Sequence, residues 1–358
     1  MKSDSANINE PAASSTKNSS GFWGKLLKYG VPPLMTVGLC WLLFTGVDIK
    51  EMIEIIRTQC NFSWLLAGLG ISIFSYLFRA LRWRIQLKAL DIRPPLWAIT
   101  LSIFGTYAVN MILPRLGELW RTGYIAERER APFSTVFGSM ICDRLSDTIT
   151  VGLITLFTFI IAHSQILSYL NQNPEAYMHI VNALKSPWLW AALVAVVCSC
   201  LWLCRRYPDA RPVRICSNLL KGIWQGFAVV AKMPGKGRWL LLTILLWGCY
   251  YLQLYLAFFA FPLTAEVAIK YGQTAVLVCF VLSSISMAVP SNGGIGPYQW
   301  AIVFGLSMYA SEIPGLSKEY ATSFANMVMG CQTVFIILLG IITFVVISID
   351  KRRKQKSS

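Results

Sequence analysis

Six apolar stretches, each long enough to cross the hydrocarbon of a bilayer, restrict this chain more than any other feature. They lie near residues 31–47, 62–81, 134–162, 188–204, 239–261 and 324–349. A spanning helix needs about 20 such residues, with a range of roughly 17–25. Lipid offers no partner to backbone donors and acceptors, so each stretch is expected to close its hydrogen bonds internally as a helix. Composition agrees, since 55% of the 358 residues are hydrophobic and only 14% are charged, more apolar material than a soluble core requires. The expected fold class is an all-α polytopic membrane protein.

Two further apolar segments, 96–125 and 273–310, are interrupted near the middle by "LPRLGE" and "VPSNGGIGP". How they run decides where the charge goes. Basic residues gather in four places: Lys25 and Lys28; Arg79, Arg82, Arg84, Lys88 and Arg93; the loop 205–238; and the tail "KRRKQK". Such groups favour the cytoplasmic side. If both interrupted segments crossed once, the loop 205–238 would face outward with eight basic residues set against Asp209. If each enters and returns on its own side, every basic group lies inside.

The expected architecture is therefore six full spans plus two re-entrant helical hairpins entering from opposite sides, in the cell inner (cytoplasmic) membrane, with both termini cytoplasmic. "NMILPRLGE" and "SMAVPSNGG" share the register M-x-x-P-x-x-G, a faint sign of the inverted repeats found in secondary transporters. Residues 1–24 read as a disordered cytoplasmic tail, 25–350 as one transmembrane domain and 351–358 as a basic cytoplasmic tail, with no cleavable signal expected. Residues 48–61 put Ile49, Met52, Ile53 and Ile56 on one face and suit an interfacial helix. The segments 163–187, 262–272 and 311–323 read as outward loops. The loop 205–238 is an ordinary positive-inside loop that could also lie on anionic lipid.

This bias also explains the net charge of +15 without nucleic acid. No metal or cofactor is expected. Most cysteines lie within apolar runs, Cys200 and Cys204 share a helix face as packing residues, His163 and His179 are peripheral, and no phosphate-binding loop for ATP is present.

Chemistry concentrates at the two breaks. In "NMILPRLGELWR", from Asn110 to Arg121, Pro114 and Gly117 mark a turn, and Arg115 and Arg121 flank Glu118. Charges at this depth usually face a partner or a wet cavity. Arginine could grip a phosphate through two parallel hydrogen bonds, or Glu118 could pair with an arginine merely to hold the hairpin. In the second break, Pro290, Ser291, Asn292, Gly293, Gly294, Gly296 and Gln299 form either a plain turn or an anion site built from backbone N–H groups at a helix start.

Two charged motifs flank these breaks. "CDRLSD" sets Asp143 and Asp147 one helical turn apart with Arg144 beside them. They could neutralise Arg115 or Arg121, relay a proton, or form an ion-pair lattice. "FRALRWR" places Arg79 and Arg82 at the inner end of the second span, where they are expected to snorkel to the headgroups while adding positive charge near the first hairpin.

Taken in order, "RALRW" (79–83), "NMILPRLGELWR" (110–121), "DRLSD" (143–147) and "PSNGGIG" (290–296) resemble the flippase-like transmembrane domain of lysylphosphatidylglycerol synthases, over nearly all of residues 25–350. The resemblance implies translocation of a lipid: an anionic phospholipid or a polyprenyl-phosphate-linked lipid. The few residues after the last span do not correspond to the aminoacyl-transfer domain of the synthases, so lipid synthesis is not implied. The family's second motif reads P-x-P-G-G-[LI]-G-x-x-E. Here Asn292 replaces the second proline and Gln299 the glutamate, so any proton coupling would have to use Glu118, Asp143 or Asp147.

The expected function is a lipid transporter and not an enzyme. Its hairpin tips meet near mid-membrane, with Arg115 and Arg121 holding a phosphate and residues 293–296 supplying N–H donors. The alternatives are an integral membrane enzyme acting on a lipid phosphate through Asp143 or Asp147, or a non-transporting partner that recruits glycosyltransferases through 205–238.

Overall fold

The computed structural model describes residues 41, 48–113, 115–172, 178, 182, 186, 187, 191, 195, 198, 199, 202, 206, 234–289 and 291–357. Pro114, Pro290, His179, Cys200, Cys204 and the tail 1–24 lie outside these residues. So do all but isolated residues of the expected spans 31–47 and 188–204, and most of the loop 205–238.

The described residues form helices α1 (Ile49–Gln59), α2 (Phe62–Lys88), α3 (Leu96–Ile112), α4 (Leu116–Glu129), α5 (Phe133–Ile161), α6 (His163–Gln172), α7 (Lys236–Phe258), α8 (Pro262–Tyr271), α9 (Gln273–Ser286), α10 (Pro297–Ser307) and α11 (Lys318–Ser357). The chain is an all-α, multi-pass membrane protein. Four of its helices, α2, α5, α7 and α11, are long and apolar enough to cross a bilayer, and they coincide with the four expected spans that fall among the described residues.

Helix α2 begins where Asn61 accepts the Ser63 N–H through its side chain, an N-cap that satisfies one free donor of the first turn. It runs seven residues beyond the expected end at residue 81. Tyr76, Ala80, Trp83 and Leu87 explain this, because they recur at helical spacing and are all buried against Ile99, Ile103 and Ile125 of the first hairpin. The basic residues interleaved among them do not interrupt that face.

Helix α7 lies antiparallel to α2. The Asn61 N–H donates to the Ala260 carbonyl at 2.7 Å, a Cβ on Gly68 would approach the Gln253 carbonyl, and Arg82 lies over the Trp239 ring. The first hairpin, α3 and α4, leaves from the Lys88 end of this pair. The second, α9 and α10, leaves from the opposite end, where α7 finishes beside the start of α2. The two hairpins therefore enter from opposite ends of the bundle.

Helix α11 ties both ends together. Near its start Ser323 donates to the Met52 carbonyl of α1, Gly340 packs on Ala108 of the first hairpin, and Asp350 accepts from Arg128 at 2.7 Å near the hairpin's base. Helix α1 is present as expected; Ile56 of the expected face packs against the core together with Ile55, which lies off that face, while Ile49 and Ile53 are exposed.

The expected loop 262–272 is instead helix α8, bent by 114° from α9. Pro262 at its first position suits a helix start. The Leu263 N–H donates to the Tyr320 hydroxyl, and the Thr264 hydroxyl donates to the Phe258 carbonyl. Thr264, Val267 and Ala268 are buried, which stabilises this helix where the topology argument drew only an outward loop. Residues from 163 and from 318 are likewise helical, in α6 and α11. Glu312 closes the base of the second hairpin. It accepts from Tyr271 at 2.6 Å and pairs with Lys270 at 3.5 Å, which together hold its carboxyl below the usual carboxylate range.

Candidate functional site

The first hairpin turns within three residues. Arg115 occupies the left-handed region at φ 63°, where a side chain costs about 1–2 kcal/mol. Helix α4 starts without a cap from Arg115 itself. Asn110 supplies one from across the turn, its side-chain oxygen accepting the Gly117 N–H at 2.8 Å. Only glycine fits at 117, since a Cβ there would collide with the Thr106 carbonyl. Gly117→Ala is therefore expected to destabilise the fold by about 1–3 kcal/mol, read as a lower melting temperature of the purified protein. An unchanged melt would mean the two arms part freely.

The second hairpin turns through Gly293 and Gly294, at φ 63° and 90°. The Met111 side chain of the first hairpin fills the place a Cβ on Gly293 would take. Arg115 Nη2 donates to the Ala288 carbonyl at 2.6 Å. The two tips are thus in direct contact. Ser291 is buried, and its hydroxyl has no hydrogen-bond partner among the described residues. Two N–H groups of the turn are spent internally, Ile295 on the Asn292 carbonyl and Gly296 on the Gln299 side chain. The Gly-rich turn therefore offers fewer free donors than its glycines suggested.

Beside the first hairpin lies a buried lattice of charge. Arg82 Nη2 reaches Asp143 Oδ1 at 2.6 Å and Asp147 Oδ1 at 2.7 Å. Arg79 meets Asp147 at 2.9 Å and Asp143 at 3.5 Å, and its Nε donates to the Tyr250 hydroxyl at 3.3 Å. Arg121 meets Asp143 at 3.3 Å and stacks over Trp83 at 4.6 Å. At the more exposed edge, Arg144 holds Glu118 at 3.0 Å and approaches Asp147 at 3.8 Å. Arg82, Arg121 and Asp143 are fully buried. Trp83 Nε1 donates to Ser139, and Tyr107 meets Tyr250 hydroxyl to hydroxyl at 3.4 Å.

These positions correct three sequence expectations. Arg79 and Arg82 do not snorkel. Helix α2 continues to Lys88, which leaves Arg79 about 14 Å short of its end, and the carboxylates of α5 face it there. Arg115 and Arg121 do not stand together, because one marks the exposed tip while the other is sealed into the lattice about one and a half helical turns along α4. Glu118 pairs with neither of them and binds Arg144.

Of the open alternatives for Asp143 and Asp147, the structure realises the ion-pair lattice, with Asp143 neutralising Arg121. Sequence reasoning missed Tyr107, Trp239 and Tyr250, and it had Met111 only as one position of the shared register. It also missed Trp83, although "RALRW" contained it.

Ordered charged motifs on α2, α4 and α5, together with a glycine turn before α10, are what a family comparison can test. The family model described as the lysylphosphatidylglycerol synthase transmembrane region matches residues 27–340. The chain belongs to that family. The match runs from ahead of α1 well into α11, so the lattice and both hairpins of this lysylphosphatidylglycerol synthase transmembrane-region protein fall inside it. Membership gives the protein a membrane lipid-related role. No curated protein matches the chain, and no solved structure does.

Proposed function

We propose that this protein is a flippase-like transporter that moves an anionic phospholipid or polyprenyl-phosphate-linked lipid across the cytoplasmic membrane, with both termini in the cytoplasm. The observation that carries the reading is the contact between hairpins entering from opposite ends, where Arg115 and Met111 meet Ala288 and Gly293. A polar turn from each side brought to one point is the arrangement by which broken helices form a site between the two membrane faces. The lipid chains would remain in the bilayer while the headgroup passes the tips, and Arg115 provides a cation there.

The test is reconstitution into liposomes holding a headgroup-labelled anionic lipid. The protein is expected to speed exchange between leaflets well above the protein-free rate. Equal rates with and without protein, across anionic, zwitterionic and polyprenyl-phosphate lipids, would remove the proposal.

A further inference from the structure

Helices α10 and α11 part where the chain crosses between them, and the gap is a cavity of about 430 Å³. Trp300, Val303, Phe304 and Ser307 line it from α10, and their i, i+3, i+4, i+7 spacing makes them one helix face. Trp300 is 49% exposed and stacks on Phe304 at 5.4 Å, so this face turns out of the bundle. Leu316 and Ala321, both buried, line it from the other side. No lattice residue and no residue of the contact between the hairpin tips is among the lining.

The lining is graded in polarity. Its two hydroxyls are spent within the chain, Ser307 donating to the Phe304 carbonyl and Ser317 accepting the Tyr320 N–H. Lys318 is exposed and is the one charged residue of the lining, which does not include Glu319. It opens α11, six residues ahead of the apolar stretch 324–349, so its ammonium stands at headgroup level above apolar walls. An apolar gap left empty forfeits contacts along its walls, and water finds too few polar partners there. Beside a helix long and apolar enough to cross the bilayer, the material that fills the gap is hydrocarbon.

We propose that this cavity holds one chain of a bound anionic phospholipid, with the chain against Trp300 and Phe304 and the phosphate on the Lys318 ammonium. Ligand sites run from about 300 to 1,000 Å³, and the small size of this one admits a single chain while the second stays in the bilayer. Charge selects the headgroup. The cationic group of a zwitterionic lipid competes with Lys318 for the phosphate, whereas a headgroup with no cation of its own leaves the phosphate to Lys318. The site stands whether or not the protein moves lipid, because it shares no residue with the tips.

The experiment uses the purified full-length protein in uncharged detergent, with phosphatidylinositol and phosphatidylcholine bearing the same photoactivatable diazirine chain. After illumination, labelled peptides are mapped. Labels on residues 300–321 are expected at about tenfold lower concentration of the inositol lipid than of the choline lipid. The exposed α5 residues Leu153, Leu156 and Phe157 report lipid contact without a site and should show no preference. Lys318→Gln is expected to keep the labels and lose the preference. Ser307→Trp fills the gap from an exposed position and should clear the labels from 300–321 alone.

Labelling of 300–321 no denser than that of α5, or equal for the two lipids in wild type, overturns the proposal. So does a fatty acid with the same diazirine chain that displaces the inositol lipid at equal concentration, since the site then belongs to single-chain acids. Should Ser307→Trp fail to fold, competition in wild type decides: excess unlabelled phosphatidylinositol must clear 300–321 and leave α5 labelled.

Discussion

Asp143→Asn should unfold this protein more readily than any other single isosteric change in the lattice, with a loss of about 3–5 kcal/mol. Asp143 contacts three arginines, Arg79, Arg82 and Arg121, and is fully buried. Removing its charge leaves three guanidinium groups facing one another with only Asp147 nearby, and water cannot reach them. Asp147→Asn should cost less, because its side chain is 12% exposed and solvent can absorb part of the imbalance.

A rescue separates charge from shape. Arg121 has Asp143 as its one carboxylate partner within 4.0 Å among the described residues, so adding Arg121→Gln to Asp143→Asn restores the charge count and should recover part of the lost stability. Thermal unfolding of the three variants in one detergent, followed by loss of the monodisperse peak, gives the comparison. A melt of Asp143→Asn equal to that of wild type would mean the lattice does not bear on stability.

The second large effect falls on movement of lipid and leaves the fold intact. Arg115→Gly relieves the left-handed strain at φ 63°, worth about 1–2 kcal/mol, and loses about 0.5–1 kcal/mol to the freer unfolded chain. Arg115 is exposed and its printed bond is to a backbone carbonyl, so the melting temperature should stay close to wild type. Leaflet exchange of an anionic lipid should nonetheless fall at least about tenfold, the scale of one charge-assisted contact to phosphate. The opposite outcome, faster exchange, would show that Arg115 is a latch closing the two tips and has no part in holding the headgroup.

Much of this site was legible in the chain. Lipid forces apolar runs to be helices, so four spans could be drawn before any coordinates, and "LPRLGE" and "PSNGGIG" could be marked as breaks because proline lacks a backbone donor and glycine beside it readily takes the positive φ of a turn. The spacing of Asp143 and Asp147, and of Arg79 and Arg82, showed that each pair shares a helix face. It did not show what that face meets. Arg82 finds Asp143 across 61 positions of sequence, and nothing local in α2 distinguishes an arginine that snorkels from one that turns inward.

Helix α8 was missed for a related reason. Its capping partner Tyr320 lies 57 residues away, and burial of Thr264, Val267 and Ala268 depends on what packs over them.

By itself, then, the sequence determined the solvent of this protein, the helical form of its spans, the two turning points and the kinds of charge beside them. Hydrocarbon solvation and backbone geometry act locally and can be read residue by residue. Only the tertiary structure decided which charges pair: that Arg121 joins Arg79 and Arg82 around Asp143, that Glu118 goes to Arg144, and that Arg115 is left at the tip against Ala288. Coulomb and hydrogen-bond partners are chosen by distance in space, and in a bundle that distance is set by how α2, α4 and α5 pack.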